Sequence, residues 1–293
     1  MTTLEQTVQF GYFPVPSAGS YATLLDQARL AERLGLDLIG IQDHPYQRRF
    51  LDTWTLLVAL AVQTERIRFF PDVINLALRP PAMLAKAAAS LDEITGGRVE
   101  MGLGAGYFWD GIAALGGPRR EPGEAVDAVE EAIAIMRLMW RGSPNARFEG
   151  KHYQLRGANP GPVPAHPMGI WLGAYGSRML ALTGRLCDGW VPTSSYALPA
   201  QLAGKNRQID DAAEAAGRSP GEIRRIYNIV GRITDGATGD FLEGPVELWV
   251  DALASLVLEQ RMDTFIFAPA EPTEAQIRLF AEEVVPRVRE ALL

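Results

Sequence analysis

Strand-like apolar runs and amphipathic helical runs alternate eight times along this chain of 293 residues. The predicted strands are Val8–Phe13, Asp37–Gln42, Ile67–Val73, Arg98–Leu103, Gly169–Ala174, Gly189–Pro192, Arg224–Ile233 and Thr264–Phe267. The predicted helices are Tyr21–Leu34, Thr53–Gln63, Pro81–Ile94, Pro122–Trp140, Ser177–Cys187, Ala200–Ala216, Val246–Gln260 and Glu274–Ala291. Eight such repeats in a core of about 250 residues favour an α/β fold of the (β/α)8 barrel type over an open doubly wound sheet.

Two insertions interrupt this alternation. The first follows the fourth strand and includes Gly142–Met168, in which Phe148–Tyr153 is typical of a small hairpin. The second follows the seventh strand, at Asp235–Gly244. No internal repeat, low-complexity run or charged linker divides the chain. We therefore expect a single domain over residues 1–293, a TIM barrel with insertions after strands 4 and 7.

Composition narrows the class of function. A net charge of -7 argues against nucleic acid or an anionic membrane as the main partner. A single cysteine, Cys187, leaves no internal disulfide, and the three histidines lack metal-ligand spacing, so no metal site is expected. Because no signal segment and no long apolar run is visible, we expect a cytoplasmic protein that acts on small molecules.

The candidate chemistry lies where predicted strands end, because barrels bind ligands at that face. Asp43 and His44 directly follow the second strand. His44 is the candidate for hydrogen bonding or proton transfer, since imidazole titrates near neutral pH. The alternative is that both residues only shape a turn. Asn75, at the end of the third strand, either faces a ligand or stabilises its own turn.

A glycine-spaced loop, Gly102, Gly104 and Gly106, closes the fourth strand. It is not a dinucleotide fingerprint, because G-x-G-x-x-G would require glycine at Tyr107 or at Trp109. The glycines instead allow a flat ring or a polar tail to approach the backbone. Tyr107 and Trp109 then line a substrate pocket, or equally cover the barrel as ordinary packing.

The segment after the fifth strand, Gly173–Arg178, begins the next helix. Gly176 and Ser177 offer free backbone N–H groups at the positive end of that helix, which favours an anion. Arg178 is placed to add charge-assisted hydrogen bonds. The alternative is an ordinary serine N-cap.

Several of these segments together resemble one known family. They are, in chain order, Asp43-His44, Ala85-Lys86, Thr95-Gly96-Gly97-Arg98, Gly102-Leu103-Gly104-Ala105-Gly106, Phe148–Tyr153, Pro162–Pro167, Gly173–Ser177, Asp188-Gly189-Trp190 and Asp263–Phe267. Their order over the whole chain is similar to that in the luciferase-like monooxygenase superfamily, the flavin- and F420-dependent oxidoreductases. The chain is identified as a member of that superfamily on this resemblance.

The resemblance implies a barrel that binds F420 or FMN at its C-terminal mouth, with the ring over strands three and four. Asp43 and His44 would lie near the ring. A cis peptide bond between non-proline residues is expected behind the ring, near Val73, Ile74 and Asn75, which with Gly104 and Gly106 would hold it. The segment Gly173, Ala174, Tyr175, Gly176, Ser177 and Arg178 would hold the cofactor phosphate.

Three functions are compatible with this resemblance. The first is hydride transfer with F420, which the region around Arg79-Pro80-Pro81 favours slightly. The second is O₂-dependent monooxygenation with reduced FMN, which needs a separate reductase as partner. The third is a non-catalytic flavin-binding barrel. Outside this resemblance, a metal-dependent hydrolase is a more distant alternative. A homodimer is expected from the resemblance, and the sequence does not indicate the substrate.

Overall fold

The strands of this protein form one parallel barrel and one small hairpin. The computed structural model describes residues 8–236 and 238–293. Its strands are β1 Gln9–Tyr12, β2 Leu38–Ile41, β3 Arg68–Pro71, β4 Ile74–Asn75, β5 Met101–Gly104, β6 Ala146–Glu149, β7 Gln154–Ala158, β8 Ile170–Leu172, β9 Gly189–Trp190, β10 Arg224–Ile233, β11 Glu243–Gly244 and β12 Thr264–Pro269.

The barrel strands pair in parallel in the order β3-β2-β1-β12-β10-β9-β8-β5-β4. β3 and β4 are two pieces of one strand position, so these nine segments occupy eight positions. The barrel closes between Phe69 and Val99, which form a parallel bridge, and again between β4 and β5. The predicted (β/α)8 barrel is confirmed.

The helices follow the barrel strands in the predicted order. They are α1 Tyr21–Arg33, α2 Thr53–Ala61, α3 Pro81–Thr95, α4 Trp109–Ala114, α5 Pro122–Trp140, α6 Ser177–Leu186, α7 Pro199–Ala215, α8 Val246–Gln260, α9 Glu274–Arg278 and α10 Val285–Ala291, with a π-helical segment Leu279–Val284 joining the last two. Short 3₁₀ turns lie at Leu76–Leu78 and Pro220–Glu222. No helix of the described residues is long and apolar enough to cross a membrane.

Both insertions are present where the sequence places them. The first contains α4 and the antiparallel hairpin β6–β7, which is longer than the predicted Phe148–Tyr153. The second contains β11, which extends the barrel sheet beside β10; Ala237 within it lies outside the described residues. One predicted strand is broken in two, whereas the other barrel strands differ from their predictions only in where they begin or end. Ile67–Val73 is interrupted after Pro71, where the Asp72–Val73 peptide bond is cis, and pairing resumes at Ile74.

The barrel lumen is filled by large apolar side chains from alternate strand positions. This buried cluster consists of Leu38, Phe70, Trp171, Val191, Ile226 and Ile266, with Phe13 and Val73 packed against it. The rings of Phe70 and Trp171 meet edge to face at 5.0 Å between centroids. Because strand side chains alternate in direction, the intervening residues pack outward against the helices in a second, larger core.

The Thr95–Arg98 segment joins α3 to the closing strand. Gly96 ends the helix in the left-handed conformation at φ 70°, and Gly97 follows at φ 91°, as the sequence predicts. The Arg98 guanidinium then donates to the carbonyls of Ala61 at 2.7 Å and Ile67 at 2.8 Å. These bonds satisfy a carbonyl group at the end of α2 and one directly before β3, so this motif is structural in this protein.

A histidine between two carboxylates supports the N-terminal end of the barrel. Nδ1 of His166 lies 3.0 Å from Asp92, and Nε2 lies 3.4 Å from Glu100. The hydrogen bond to Glu100 first, and then that to Asp92, raises the pKa of His166 to about 9 against the opposing effect of burial. His166 is therefore charged in the folded protein at neutral pH.

We predict that this cluster makes stability depend on pH. The pKa of His166 is about 9 when folded and 6.5 when free, so its contribution is complete below pH 6.5 and is lost as the pH rises through 9. The contribution is about 2–3 kcal/mol at low pH. Urea unfolding of wild type and His166→Gln at pH 6 and pH 10 measures it. The gap between the two proteins should shrink at pH 10, while His152→Gln serves as the control; an equal gap at both pH values contradicts the assignment.

Candidate active site

The C-terminal ends of the barrel strands bring the predicted site residues to one face, here called the mouth. Val73 forms part of its floor. A Cβ at Gly104 would lie 2.7 Å from Cγ2 of Val73, and one at Gly173 would lie 3.0 Å from the same atom. The Val73 side chain thus fills the space that the two glycines leave. Any larger residue at either position would displace it.

Gly106 brings two further predicted residues together. Its φ of +97° is a left-handed conformation that favours glycine. A Cβ there would lie 3.3 Å from the Trp109 ring and 3.4 Å from Oδ1 of Asn75. Trp109 therefore packs against the glycine loop beside Asn75. Tyr107, by contrast, is 84% exposed, so it borders the mouth from outside.

Asp43 is buried and bound by protein groups. Its carboxylate accepts hydrogen bonds from the backbone N–H of Asn75 at 2.9 Å and from two nitrogens of Arg79 at 3.0 and 3.2 Å. Arg79 also donates to Asp52, the residue that caps α2, at 2.6 Å. Asp43 thus positions Asn75 from within the protein, and its carboxylate is directed at Arg79 and Asn75.

His44 lies exposed at the rim of the mouth beside Tyr46. Its Nδ1 is 2.7 Å from the Tyr46 hydroxyl, with the direction of the hydrogen bond set by the tautomer. Partial burial of the imidazole lowers the pKa of His44, and the nearby Asp43 charge opposes that shift. The imidazole is therefore mainly neutral at pH 7.

An aromatic wall continues from Tyr46. Its ring meets Phe108 edge to face at 5.2 Å between centroids, and on the other side Tyr175 meets Tyr196 at 5.9 Å. Phe108, which lies between the predicted pocket residues Tyr107 and Trp109 in the sequence, was not itself predicted as a pocket residue. Tyr46 and Tyr196 are also new to the site.

The segment Gly173–Arg178 lies at the mouth as predicted, and α6 begins there. Gly176 is its N-cap and makes no side-chain capping bond, so the first N–H groups of the helix have no intrahelical acceptor. A Cβ at Gly176 would meet nothing within 4 Å. The Arg178 guanidinium donates a hydrogen bond to Asp127 on α5 at 2.8 Å, so this side chain already has a partner outside the turn.

Two buried polar side chains in the lumen were not predicted. Nδ2 of Asn228, on β10, donates to Oδ1 of Asp72 at 2.9 Å across the barrel. Burial raises the pKa of Asp72 to about 7, although the hydrogen bond from Asn228 acts in the opposite direction and lowers this pKa. A sequence signal existed: Asp72 and Asn228 each follow a lumen residue, Phe70 and Ile226, by two positions.

The mouth fits a flat ring with an anionic tail. At the mouth, the buried oxygen atoms without a hydrogen-bond partner among the described residues are Oδ2 of Asp72, Oδ1 of Asn75 and Oδ1 of Asn228. Such atoms are costly unless a ligand or water satisfies them. A ring with N–H groups suits these acceptors, and the free amides of α6 suit a phosphate. The donor set therefore fits F420 or FMN.

Metal chemistry has no comparable support. No group of three or more His, Cys, Asp or Glu side chains in residues 8–236 and 238–293 is arranged to hold a metal ion.

A separate groove of about 570 Å³ lies at the opposite, N-terminal end of the barrel, lined in part by Arg137, His166 and Asp188. Its Arg137 and Asp188 are paired at 2.9 Å, and ligands of parallel barrels bind at the other end.

Comparison with known proteins defines the class to which this barrel belongs. The sequence profile of the luciferase-like monooxygenase family matches residues 7–235. This match covers most of the chain, so the chain belongs to the luciferase-like monooxygenase family.

Individual relatives use either of two cofactors. An F420-dependent glucose-6-phosphate dehydrogenase of Nocardia farcinica is 29% identical over 273 residues, which cover 90% of this chain and 79% of that protein. An F420-dependent secondary alcohol dehydrogenase, in complex with an F420-acetone adduct, has a TM-score of 0.87 at 19% identity, covering 96% of this chain and 99% of that one. The FMN complex of the oxygenating constituent of 3,6-diketocamphane monooxygenase from Pseudomonas putida has a TM-score of 0.79 at 18% identity, covering 96% and 98%.

We predict that Asp43→Asn destabilises the protein by about 2–4 kcal/mol. The substitution removes the buried charge that Arg79 faces and weakens the bond to the Asn75 amide. Urea unfolding measures the loss. Asp110→Asn is the matched control, because the Asp110–Arg119 pair is exposed and should change stability by less than about 0.5 kcal/mol. Equal effects of the two substitutions would show that the Asp43–Arg79 pair is unimportant.

Proposed function

We propose that this protein is an oxidoreductase that binds F420 at the barrel mouth and transfers hydride to or from a small organic substrate. The observation that carries the proposal is the Val73 floor, fitted to Gly104 and Gly173, directly beside the free amides at the start of α6. Relatives named as F420-dependent, at 29% identity, favour F420. When bound, F420 supplies the hydride-transferring carbon, and the protein supplies orientation and electrostatics.

The residues proposed to bind the cofactor fall into one group for its ring and another for its anionic tail. Val73, Ile74 and Asn75 would contact the ring from the third strand position, and Gly104 and Gly106 leave room for its approach. Gly173, Ala174 and Tyr175 would border the anionic tail, and Gly176 and Ser177 at the start of α6 would hold it with backbone N–H groups. The Arg178 side chain contributes less in this proposal, because Asp127 already accepts its hydrogen bond.

His44 is the group proposed to hold or move the substrate proton. Tyr46 fixes one ring nitrogen, Nδ1, and leaves Nε2 for the substrate. Because burial lowers the pKa of His44, the neutral imidazole predominates at pH 7 and can accept a proton at Nε2. Tyr46 thereby orients the imidazole, as second partners of catalytic histidines commonly do.

The substrate pocket is proposed to be aromatic. Tyr46, Phe108 and Tyr196 line the mouth together with the predicted Tyr107 and Trp109. Aromatic faces contribute large apolar contact area and favour flat or apolar ligands. An apolar, uncharged substrate is therefore expected in preference to a sugar phosphate.

FMN is the second candidate cofactor. The likeness to the diketocamphane enzyme, whose structure contains FMN, supports this candidate. In that case the protein would be a monooxygenase that receives reduced FMN from a separate reductase. A homodimer, expected from the family resemblance, and a cytoplasmic location, expected from the sequence, also stay proposals.

A binding titration tests the cofactor assignment. We predict that the purified protein binds F420 with a dissociation constant in the micromolar range or tighter, and FMN more weakly, as measured by fluorescence. Gly176→Asp should weaken F420 binding roughly tenfold, since its carboxylate would occupy the anion position, without lowering the melting temperature.

Ser20→Asp is the matched control for this titration, because it places the same charge at the N-cap of α1. It should leave cofactor affinity unchanged. Tighter FMN binding would favour the monooxygenase, and the absence of binding to either cofactor would contradict the cofactor site.

We also predict that His44→Gln lowers kcat by about 10²–10⁴-fold while the affinity for F420 changes little. In wild type, kcat/KM should rise with pH through a pKa below 6.5 and then level off, because the neutral imidazole is the active form. Steady-state rates over pH 5–9 measure both effects once a substrate is found. His152→Gln is the control, and an unchanged kcat in His44→Gln would remove His44 from the mechanism.

A further inference from the structure

We propose that Asp72 is an ionisable group of the ring-binding site and that it takes up a proton when a ring binds in the mouth. The proposal rests on the proposed function, since it needs a ligand in the mouth. It goes beyond it by assigning a role to a buried carboxyl that hydride transfer does not require. Asn228 is its positioning partner.

The position of Asp72 follows from strand geometry. Leu38, Phe70 and Ile226 belong to the apolar cluster that fills the lumen. Side chains two positions further along a strand lie on the same face, one layer closer to the mouth. Those positions hold Gly40, Asp72 and Asn228, so the layer nearest the mouth is small or polar where the layer below is large and apolar.

The contacts of Asp72 leave one oxygen available. Asp72 is 8% exposed, and its Oδ1 accepts the Asn228 hydrogen bond at 2.9 Å. Its Oδ2 is buried without a partner among the described residues. A Cβ at Gly40 would lie 2.8 Å from Oδ2, so the glycine provides the space that this oxygen occupies. The next residue, Val73, is the one that packs on Gly104 and Gly173.

The surroundings of Asp72 offer no positive charge in the part of the chain that the structure describes. From β10 it faces the neutral Asn228, and from β2 it faces Gly40. The titratable neighbour is Tyr175 in the segment before α6; burial first, and the Asp72 charge among other causes, raise the pKa of Tyr175 to about 12. Neither Asn228 nor neutral Tyr175 compensates a carboxylate charge.

Covering this carboxyl has a predictable consequence. The pKa of Asp72 is already about 7 through burial, so the ligand-free protein holds both protonation states near neutral pH. A ring placed over the mouth removes the remaining water without adding a cation, which disfavours the charged form further. The proton comes from solvent. The protonated Oδ2 can then donate to a carbonyl oxygen or ring nitrogen of the ligand, while Oδ1 of Asn228 accepts from a ring N–H.

The ligand class that this pair suits is a flat heterocycle with adjacent acceptor and donor groups on its edge. A purely apolar ring would leave Oδ1 of Asn228 and the Asp72 hydroxyl buried without hydrogen-bond partners, which disfavours binding. F420 and FMN both belong to the class. The pair therefore adds a test of ring binding that does not depend on turnover.

The test measures ligand affinity and proton uptake against pH. Wild type, Asp72→Asn and the control Asp110→Asn are titrated with F420 and with FMN at pH 6.0 and 8.5, and calorimetry in two buffers of different ionisation enthalpy counts the protons bound. The affinity of wild type for the cofactor should fall from pH 6.0 to pH 8.5, because binding at high pH requires Asp72 to take up a proton. This fall should be roughly tenfold larger than the corresponding fall in Asp72→Asn. Proton uptake near pH 8 should be absent in Asp72→Asn and retained in Asp110→Asn.

A second variant guards against misfolding of the first. Asn228→Ala removes the hydrogen bond that favours the charged form, so the loss of affinity should move to higher pH. Cofactor binding with the same pH dependence in wild type and Asp72→Asn would overturn this inference and leave the proposed function intact. Failure of wild type to bind either cofactor would overturn both.

Discussion

A parallel barrel must fill its own lumen, and the way this one does so determines where a ligand can bind. Large side chains such as Phe70 and Trp171 fill the central layer completely. Closer to the C-terminal ends, the same strands carry Gly40, Gly104 and Gly173, whose missing side chains are replaced by Val73 and Asp72. Since the close-packed layer below excludes water, any opening toward solvent lies at the mouth. The proposed cofactor site is thus a place where core packing stops.

The two ends of the barrel use charge differently. At the N-terminal end, Asp92 and Glu100 surround His166, and Arg98 binds carbonyls, so charge serves to hold helices and strands together. At the mouth, the Asp43–Arg79 pair likewise holds structural elements together, but it lies at the edge. The polar side chains in the interior of the mouth, Asp72 and Asn228, have no ion-pair partner among the described residues. This division matches the general separation of stability and activity between the two faces of (β/α)8 barrels.

Much of the fold, and part of the site, follows from the sequence. The alternation of elements predicted the barrel and both insertions, because period and spacing are local properties. The break after Pro71 was missed because the apolar runs on either side of Pro71 and Asp72 were joined into one strand, although proline and aspartate are unusual inside a strand. The partners of Asp43 and Asp72 were missed for a different reason: Arg79 and Asn228 are 36 and 156 residues away from them, and only the closed barrel brings them together. The left-handed conformation of Gly96 and Gly97 was predicted, because a backbone that needs a positive φ leaves a direct trace in residue type.

Tyr175 links the start of α6 to the neighbouring part of the barrel from two sides. Its hydroxyl accepts from the backbone N–H of Thr193 at 3.1 Å, and its carbonyl accepts from Lys205 on α7 at 2.9 Å. The turn that carries the free amides is therefore held in place before any ligand arrives. A preorganised turn loses little conformational entropy on binding, so more of the interaction with an anionic tail appears as affinity. The same rigidity fixes the distance between tail and ring, which makes the length of the ligand itself a criterion of selection.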